Sequence, residues 1–447
     1  MSAVLSELHP AGLALYGDLL DFPTLTALED PSDLPVPGGV RWRPGHWLLI
    51  DPNGRIVGAQ TDDPGPGWQR ERHDGRLILP GFIDTHLHAG QLDVIGAWGS
   101  ALLDWLERYT FPAEARMADP EHAARISALF LDGLLAAGTT AAMVFPTVHR
   151  VSVEALFSAA QARGMRLISG KVLMDRHAPD FLRDDVTSAE RDCLDLIGRW
   201  HGRDRLAYAV TPRFAATSSE AQLAMAGALM SAAPGLYMQT HVAENRDEVR
   251  WVAELFPQAR SYLQVYEDYG LLGPRAMLAH GIWLDETDRA LLHDRGAAIA
   301  FCPSSNLFLG SGLYDWAEAR RLGVATTVGC DVGGGTGLSM TRTLADGYKV
   351  QALAGRRVTA WALLHAATRG AAEALGLAGE IGALEPGCLA DVVVWDRAVS
   401  PVEHHRQSVA QDLHESIFAW LTVAHEAHVV STRVAGVERW RRPDRTE

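Results

Sequence analysis

Cysteine is scarce in this 447-residue chain: Cys193, Cys302, Cys330 and Cys388 stand far apart, and no C-x-x-C pair occurs. That excludes a disulfide scaffold and a cysteine-based zinc knuckle, and it fits a reduced, cytoplasmic setting. Also missing is any run of about 18 apolar residues, the length a bilayer span needs. The opening residues show no basic stretch followed by an apolar core, so no signal peptide is expected. Basic residues do not cluster beyond Arg439-Trp440-Arg441-Arg442, and 40 Lys and Arg face 55 Asp and Glu for a net charge of −15. This balance argues against nucleic acid or an anionic membrane as partner. Solenoid-type repeats and low-complexity tracts are absent too. What is present, 47% hydrophobic and 21% charged residues, suffices to bury a large core.

The chain divides by pattern into three stretches. Residues 1–76 read as short strands and turns, with Trp47 to Ile50 and Ile56 to Ala59 flanking the hairpin signal Asp51-Pro52-Asn53-Gly54. Residues 77–380 alternate strand and helix. Strand-like runs begin with Leu77 to Ile83 and recur at Thr139–Phe145, Met165–Leu173, Leu206–Pro212, Gly235–His241, Ala276–Ile282, Ala297–Pro303 and Ala325–Asp331. The clearest helix spans Glu121 to Ala137, with Ile126, Leu129, Phe130, Leu134 and Ala137 on one face. Eight such units predict an α/β fold, a (β/α)₈ TIM-type barrel. Residues 381–447 turn β-rich again at Ala390–Trp395 and Val429–Val437. Both termini are thus expected to meet in a small β-sandwich beside the barrel.

The chemistry lies at the strand ends. His86 and His88 close the first strand at i and i+2, so their side chains share a face. His241, His280 and Asp331 end strands five, six and eight. In such a barrel the C-terminal strand ends converge on one mouth. A lone strand-end histidine is usually structural, but imidazoles and a carboxylate gathered at one mouth suit Zn²⁺, or else Fe²⁺. Glu244 lies three residues past His241, where it can serve as a general base without being a ligand, or simply favour the start of the next helix. Cys330 and Cys302 read as packing residues.

The run Pro80-Gly81-Phe82-Ile83-Asp84-Thr85-His86-Leu87-His88 resembles the opening motif of the amidohydrolase superfamily. His88-Ala89-Gly90-Gln91, Tyr109-Thr110-Phe111-Pro112-Ala113-Glu114, Val210-Thr211-Pro212-Arg213-Phe214-Ala215, Cys302 to Gly312 and Asp331 to Thr336 are similar to segments of its guanine deaminase family. The resemblance implies that His86, His88, His241 and Asp331 hold one Zn²⁺ per chain. His280 would sit beside the metal, as a weak ligand or polarising group. Glu244 would shuttle protons, Asp331 would also orient the nucleophile, and Gln91, Arg213 and Phe214 would position a purine. Gly90 stands where that family often has Pro, and is expected to loosen the loop before Gln91.

The activity so implied is hydrolytic deamination of guanine to xanthine and ammonia by a zinc-activated water, in a cytoplasmic homodimer. Arginine is a natural reader of guanine O6 and N7, Phe214 can stack on the ring, and Gln91 can offer both donor and acceptor. The alternatives are a related aminohydrolase acting on another purine, pterin or triazine, a cyclic amidase using Lys171 to bridge two metals, and a non-catalytic scaffold. A nucleic-acid editor of the zinc-deaminase type would require P-C-x-x-C, which is absent.

Overall fold

In the computed structural model, which describes residues 11–24, 39–98 and 102–443, the chain passes from one sheet into another at Gly81. The apolar run from Leu77 is therefore not one strand. Its first half closes the strand Trp68–Pro80, which pairs antiparallel with Val392–Trp395, whereas Phe82–His88 opens the barrel. The switch is made by backbone bonds: Gly81 N–H donates to the Asp391 carbonyl, and Phe82 N–H to that of Gly138.

Eight parallel strands follow in sequential order around the barrel: Phe82–His88, Thr139–Phe145, Arg166–Ser169, Leu206–Pro212, Tyr237–Val242, Ala276–His280, Ala298–Phe301 and Ala325–Val328. A short additional piece, Val172–Leu173, pairs with strand four; Gly170 separates it from strand three, because a side chain there would overlap the Ala209 carbonyl. Strands one and eight are joined at the mouth. Asp331 N–H donates to the His86 carbonyl and His88 N–H to that of Val332, both at 2.8 Å. The buried carboxylate of Asp84 adds a clasp, accepting from the N–H groups of His86 and Cys330 at 3.2 Å. Helices such as Arg150–Arg163, Glu220–Leu229 and Glu286–Arg295 cover the strands.

The helix expected from Glu121 spans Pro120–Ala136, capped by Asp119. Its buried stripe is Ala123, Ile126, Ser127, Phe130, Leu131, Leu134 and Leu135; Leu129 falls outside that arc and is 56% exposed, contrary to expectation.

Both termini do meet beside the barrel. Their strands form one seven-stranded sheet, in which Gly12–Asp21, Arg41–Ile50 and Ile56–Gln60 extend one side of Trp68–Pro80 and the C-terminal strands the other. The predicted strand Val429–Val437 is two, Val429–Val434 and Val437–Arg441, folded at Ala435 and Gly436 with φ of 47° and 77°. Trp395 and Val393 press against Gly138 at the foot of strand two, which fastens sheet to barrel. Among the described residues no helix is long and apolar enough to cross a membrane. Residues 1–10, on which the signal-peptide reading partly rests, lie outside the described residues.

The junction makes a stability prediction. A methyl group on Gly81 would overlap the side chain of Thr140. Gly81→Ala should therefore cost about 1–3 kcal/mol, the range for an overpacked core. Gly58→Ala, with open space around the added carbon, should cost far less. Urea midpoints of the two variants against wild type check this.

Candidate active site

Each functional side chain is delivered by the end of a barrel strand. His86 and His88 project from strand one, His241 from strand five, and His280 is the last residue of strand six. Asp331 comes three residues after strand eight, in a left-handed turn with φ of 52°. His280 and Ala243 share that conformation, with φ of 72° and 48°. These are costly backbone positions for non-glycine residues, and they gather at this mouth.

His86, His241, His280 and Asp331 bring ligand atoms within 4.8 Å of one another. His88 adjoins the group, with Nε2 3.2 Å from His241 Nε2 and 3.3 Å from Asp331 Oδ1. His86 Nε2 is 3.2 Å from the same oxygen. Two ligand atoms each about 2.1 Å from one ion at the tetrahedral angle lie about 3.4 Å apart, so these spacings fit a single cation. The outer contacts agree. His241 Nδ1 is 2.6 Å from the Arg213 carbonyl, and His280 Nδ1 3.0 Å from Asn306 Oδ1. Both partners are acceptors, so each Nδ1 carries the proton and each Nε2 presents a bare lone pair. Among the described residues His86 Nε2 and His280 Nε2 are buried without a hydrogen bond. A cation would answer that deficit.

The electrostatics point the same way. Burial pushes His86, His88 and His241 down, His88 to about 4 and His241 well below its ordinary value, so all three are neutral at pH 7. Burial works to raise Asp331, yet the surrounding imidazoles hold it well below the usual carboxylate range. Neutral imidazoles around an ionised carboxylate are a donor set for a divalent metal.

Glu244 is 4% exposed, with Oε2 3.4 Å from His280 Nε2 and Oε1 accepting from Ser311 Oγ at 2.8 Å. Burial, together with the Asp331 charge, pushes it up to about 8; a nearby cation would bring it down. It does not cap the next helix. Asn245 and Glu248 do, in a capping box, with Glu248 Oε2 accepting from the Glu244 and Asn245 N–H groups at 3.0 and 3.1 Å.

One cavity joins all this to the residues expected to hold a purine. Its lining includes Gln91, Arg213, Phe214, Glu244, His280 and Asp331. Gly90, expected to loosen its loop, is buried in the turn Ala89–Val94, beside Thr147 and Met117. Gln91 is less free than the sequence implies. Its Nε2 donates to Glu114 Oε1 at 2.8 Å, and its Oε1 accepts from Gly333 N–H at 3.0 Å. Arg213 NH1 donates to both Glu114 oxygens, at 2.9 and 2.7 Å. Glu114, Ser311 and Asn306 had no role in the sequence reading, although all three lie inside the family-like segments. Lys171 is buried against Asp184, with Nζ to Oδ2 at 2.5 Å, and does not line the cavity.

If the cluster holds one ion, protein purified without chelators should carry about one equivalent of divalent metal per chain by elemental analysis. Chelator treatment should lower the thermal midpoint and Zn²⁺ restore it, because a ligand that binds only the folded state stabilises it. In His86→Ala, Zn²⁺ should restore little.

Comparison with known proteins places this geometry. The model of the amidohydrolase family matches residues 77–437. The chain is 44% identical to guanine deaminase of Escherichia coli (strain K12) over 362 residues, 81% of this chain and 82% of that protein. It is 30% identical to guanine deaminase of Homo sapiens over 416 residues, 88% and 91% of the two chains. The solved structure of E. coli guanine deaminase superposes with a TM-score of 0.91 at 39% identity, covering 96% of this chain and 99% of that one. With a family model spanning most of its length and a barrel mouth built as described, the chain belongs to the amidohydrolase family.

Proposed function

We propose that this protein hydrolyses guanine to xanthine and ammonia, with one Zn²⁺ held by His86, His88, His241 and Asp331. The observation that carries the reading is a single cavity lined by His88, His241, His280, Asp331 and Glu244 together with Arg213, Gln91 and Phe214, in a chain so similar to guanine deaminases. His280 is the imidazole nearest Glu244, at 3.4 Å, and stands 3.7 Å from Asp331 Oδ2; it belongs to the same 4.8 Å group of ligand atoms as His86, His241 and Asp331, so it serves beside the metal as a weak further ligand or a polarising group. When bound, the metal supplies Lewis acidity that makes water a competent nucleophile near neutral pH.

The chain's own groups do the rest. Water adds to C2 of the purine while Glu244 takes its proton and delivers it to the adjacent ring nitrogen. Asp331 orients the attacking oxygen. The new C2 hydroxyl then gives its proton through Glu244 to the exocyclic amine, the bond from C2 to that amine breaks as the C2 carbonyl forms, and ammonia leaves. Ser311 fixes one oxygen of Glu244, leaving the other towards His280. Arg213 has donors only, so it pairs with guanine O6 and would face another donor in the 6-amino group of adenine. Phe214 supplies apolar surface for the ring. A homodimer accompanies this reading on the family resemblance, and a cytoplasmic setting on the scarce, scattered cysteines. The two-metal cyclic amidase is disfavoured because Lys171 is already engaged by Asp184.

Wild-type protein loaded with Zn²⁺ should release ammonia from guanine and much less from adenine; the reverse preference would show the pocket to be misassigned. Glu244→Gln should keep its metal and fold while losing about 10²-fold or more in kcat, whereas turnover near the wild-type rate would reduce Glu244 to a structural carboxylate. Arg213→Met should lower kcat/KM for guanine steeply, and unchanged guanine kinetics would remove Arg213 from the recognition site.

A further inference from the structure

Glu114 is 1% exposed and does not line the cavity, yet it touches two polar residues that do, Arg213 and Gln91. Its two oxygens accept from Arg213 NH1, and Oε1 also accepts from Gln91 Nε2. The Phe111 ring lies 5.5 Å from the guanidinium, so Arg213 is held by a carboxylate and an aromatic ring of the same helical turn, Phe111–Ala115.

The consequence for Gln91 is chemical. A free amide can turn either its oxygen or its nitrogen towards a ligand. Here the oxygen accepts from Gly333 N–H, and one amide hydrogen is taken by the Glu114 carboxylate, which can only accept. A flip would set oxygen against carboxylate and N–H against N–H, so the amide is locked. Gln91 keeps its second amide hydrogen and one lone pair of an oxygen already turned to Gly333; on the side where it shares Glu114 Oε1 with Arg213 it presents N–H, and Arg213 offers donors only.

We propose that Glu114 is a positioning residue that sets the polarity of the purine pocket, fixing Arg213 and Gln91 as a matched pair of donors for a 6-oxo group. This rests on the assignment of Arg213 and Gln91 as purine readers. Glu114 makes no contact with substrate; it acts through the two residues that do. Replacing its carboxylate by an amide removes one acceptor and adds a donor beside Arg213 and Gln91, which frees both to reorient.

The test uses two ligands that cannot be deaminated because neither has an amine at C2. Hypoxanthine keeps the 6-oxo group, and unsubstituted purine lacks it. Calorimetry gives the ratio of their Kd values on the metal-loaded protein, a quantity that neither the folded fraction nor turnover changes. Wild type should bind hypoxanthine at least about tenfold more tightly than purine. Glu114→Gln should reduce that preference to about the level of Arg213→Met, and the double variant should lie within about twofold of Arg213→Met alone, since Glu114 acts through that residue. If Glu114→Gln does not accumulate, Glu114→Asp, which retracts the carboxylate by one methylene, should show an intermediate ratio. An unchanged ratio in the Glu114 variants, independent losses that multiply in the double variant, or a wild type indifferent to the 6-oxo group would each overturn the proposal. Ammonia release from guanine is scored separately, so a failed deaminase reading and a failed role for Glu114 give different results.

Discussion

The structure is organised by the need to keep several buried imidazoles and a carboxylate close together. His86, His241, His280 and Asp331 bring ligand atoms within 4.8 Å of one another, His88 lies 3.2 Å from His241, and burial keeps His86, His88 and His241 neutral. Such an arrangement is unfavourable unless a cation fills it or the outer nitrogens are pinned. Arg213 does much of the pinning. Its carbonyl accepts from His241 Nδ1, and its guanidinium is held by Glu114. One residue thus bonds a clustered imidazole through its carbonyl and Glu114 through its guanidinium, so a change at either end should be felt at the other.

The scaffold meets this need at some conformational cost. Left-handed backbone at Ala243, His280 and Asp331 costs roughly 1 kcal/mol or more per residue. It persists because the surroundings over-determine it: Asp331 N–H bonds to His86 across the barrel seam, Gly281 N–H to Val242, and the Glu248 carboxylate ties the peptide groups after Ala243. Asp84, buried and pushed up to about 7 by desolvation, clasps the same seam through the N–H groups of His86 and Cys330. The mixed sheet from the termini stands against the foot of strand two, away from the mouth, and gives the barrel a wall without entering the site.

The clustering of these residues is legible because a parallel barrel sends every strand end to one place, so position along the chain becomes position in space. His86, His88, His241 and His280 needed only the strand count and the period of two. Asp331 was found although its strand stops three residues earlier, because the left-handed turn returns it to the mouth. Glu114 was not legible as a participant: its partner Arg213 is 99 residues away, and its own segment forms short helical turns whose direction no periodicity reveals. The partners of Gln91 are hidden for the same reason, since donors and acceptors that look free in a sequence find partners in the fold. Gly81 hid a change of sheet inside one apolar run, because burial on both sides of the switch leaves hydrophobicity unbroken. Leu129 shows the converse, an apolar residue just off the buried arc of a regular helix.

The central claim is that one cation and one purine meet at this mouth in a fixed orientation. Crystals of the zinc-loaded protein grown with xanthine, with data collected on both sides of the zinc absorption edge, test it most directly. The account predicts a single anomalous peak per chain among His86, His88, His241 and Asp331, with C2 of the purine turned towards it and Glu244, and the 6-oxo group towards Arg213. A peak elsewhere, a second peak at Lys171, or a purine bound with its 6-oxo group facing away from Arg213 would contradict it.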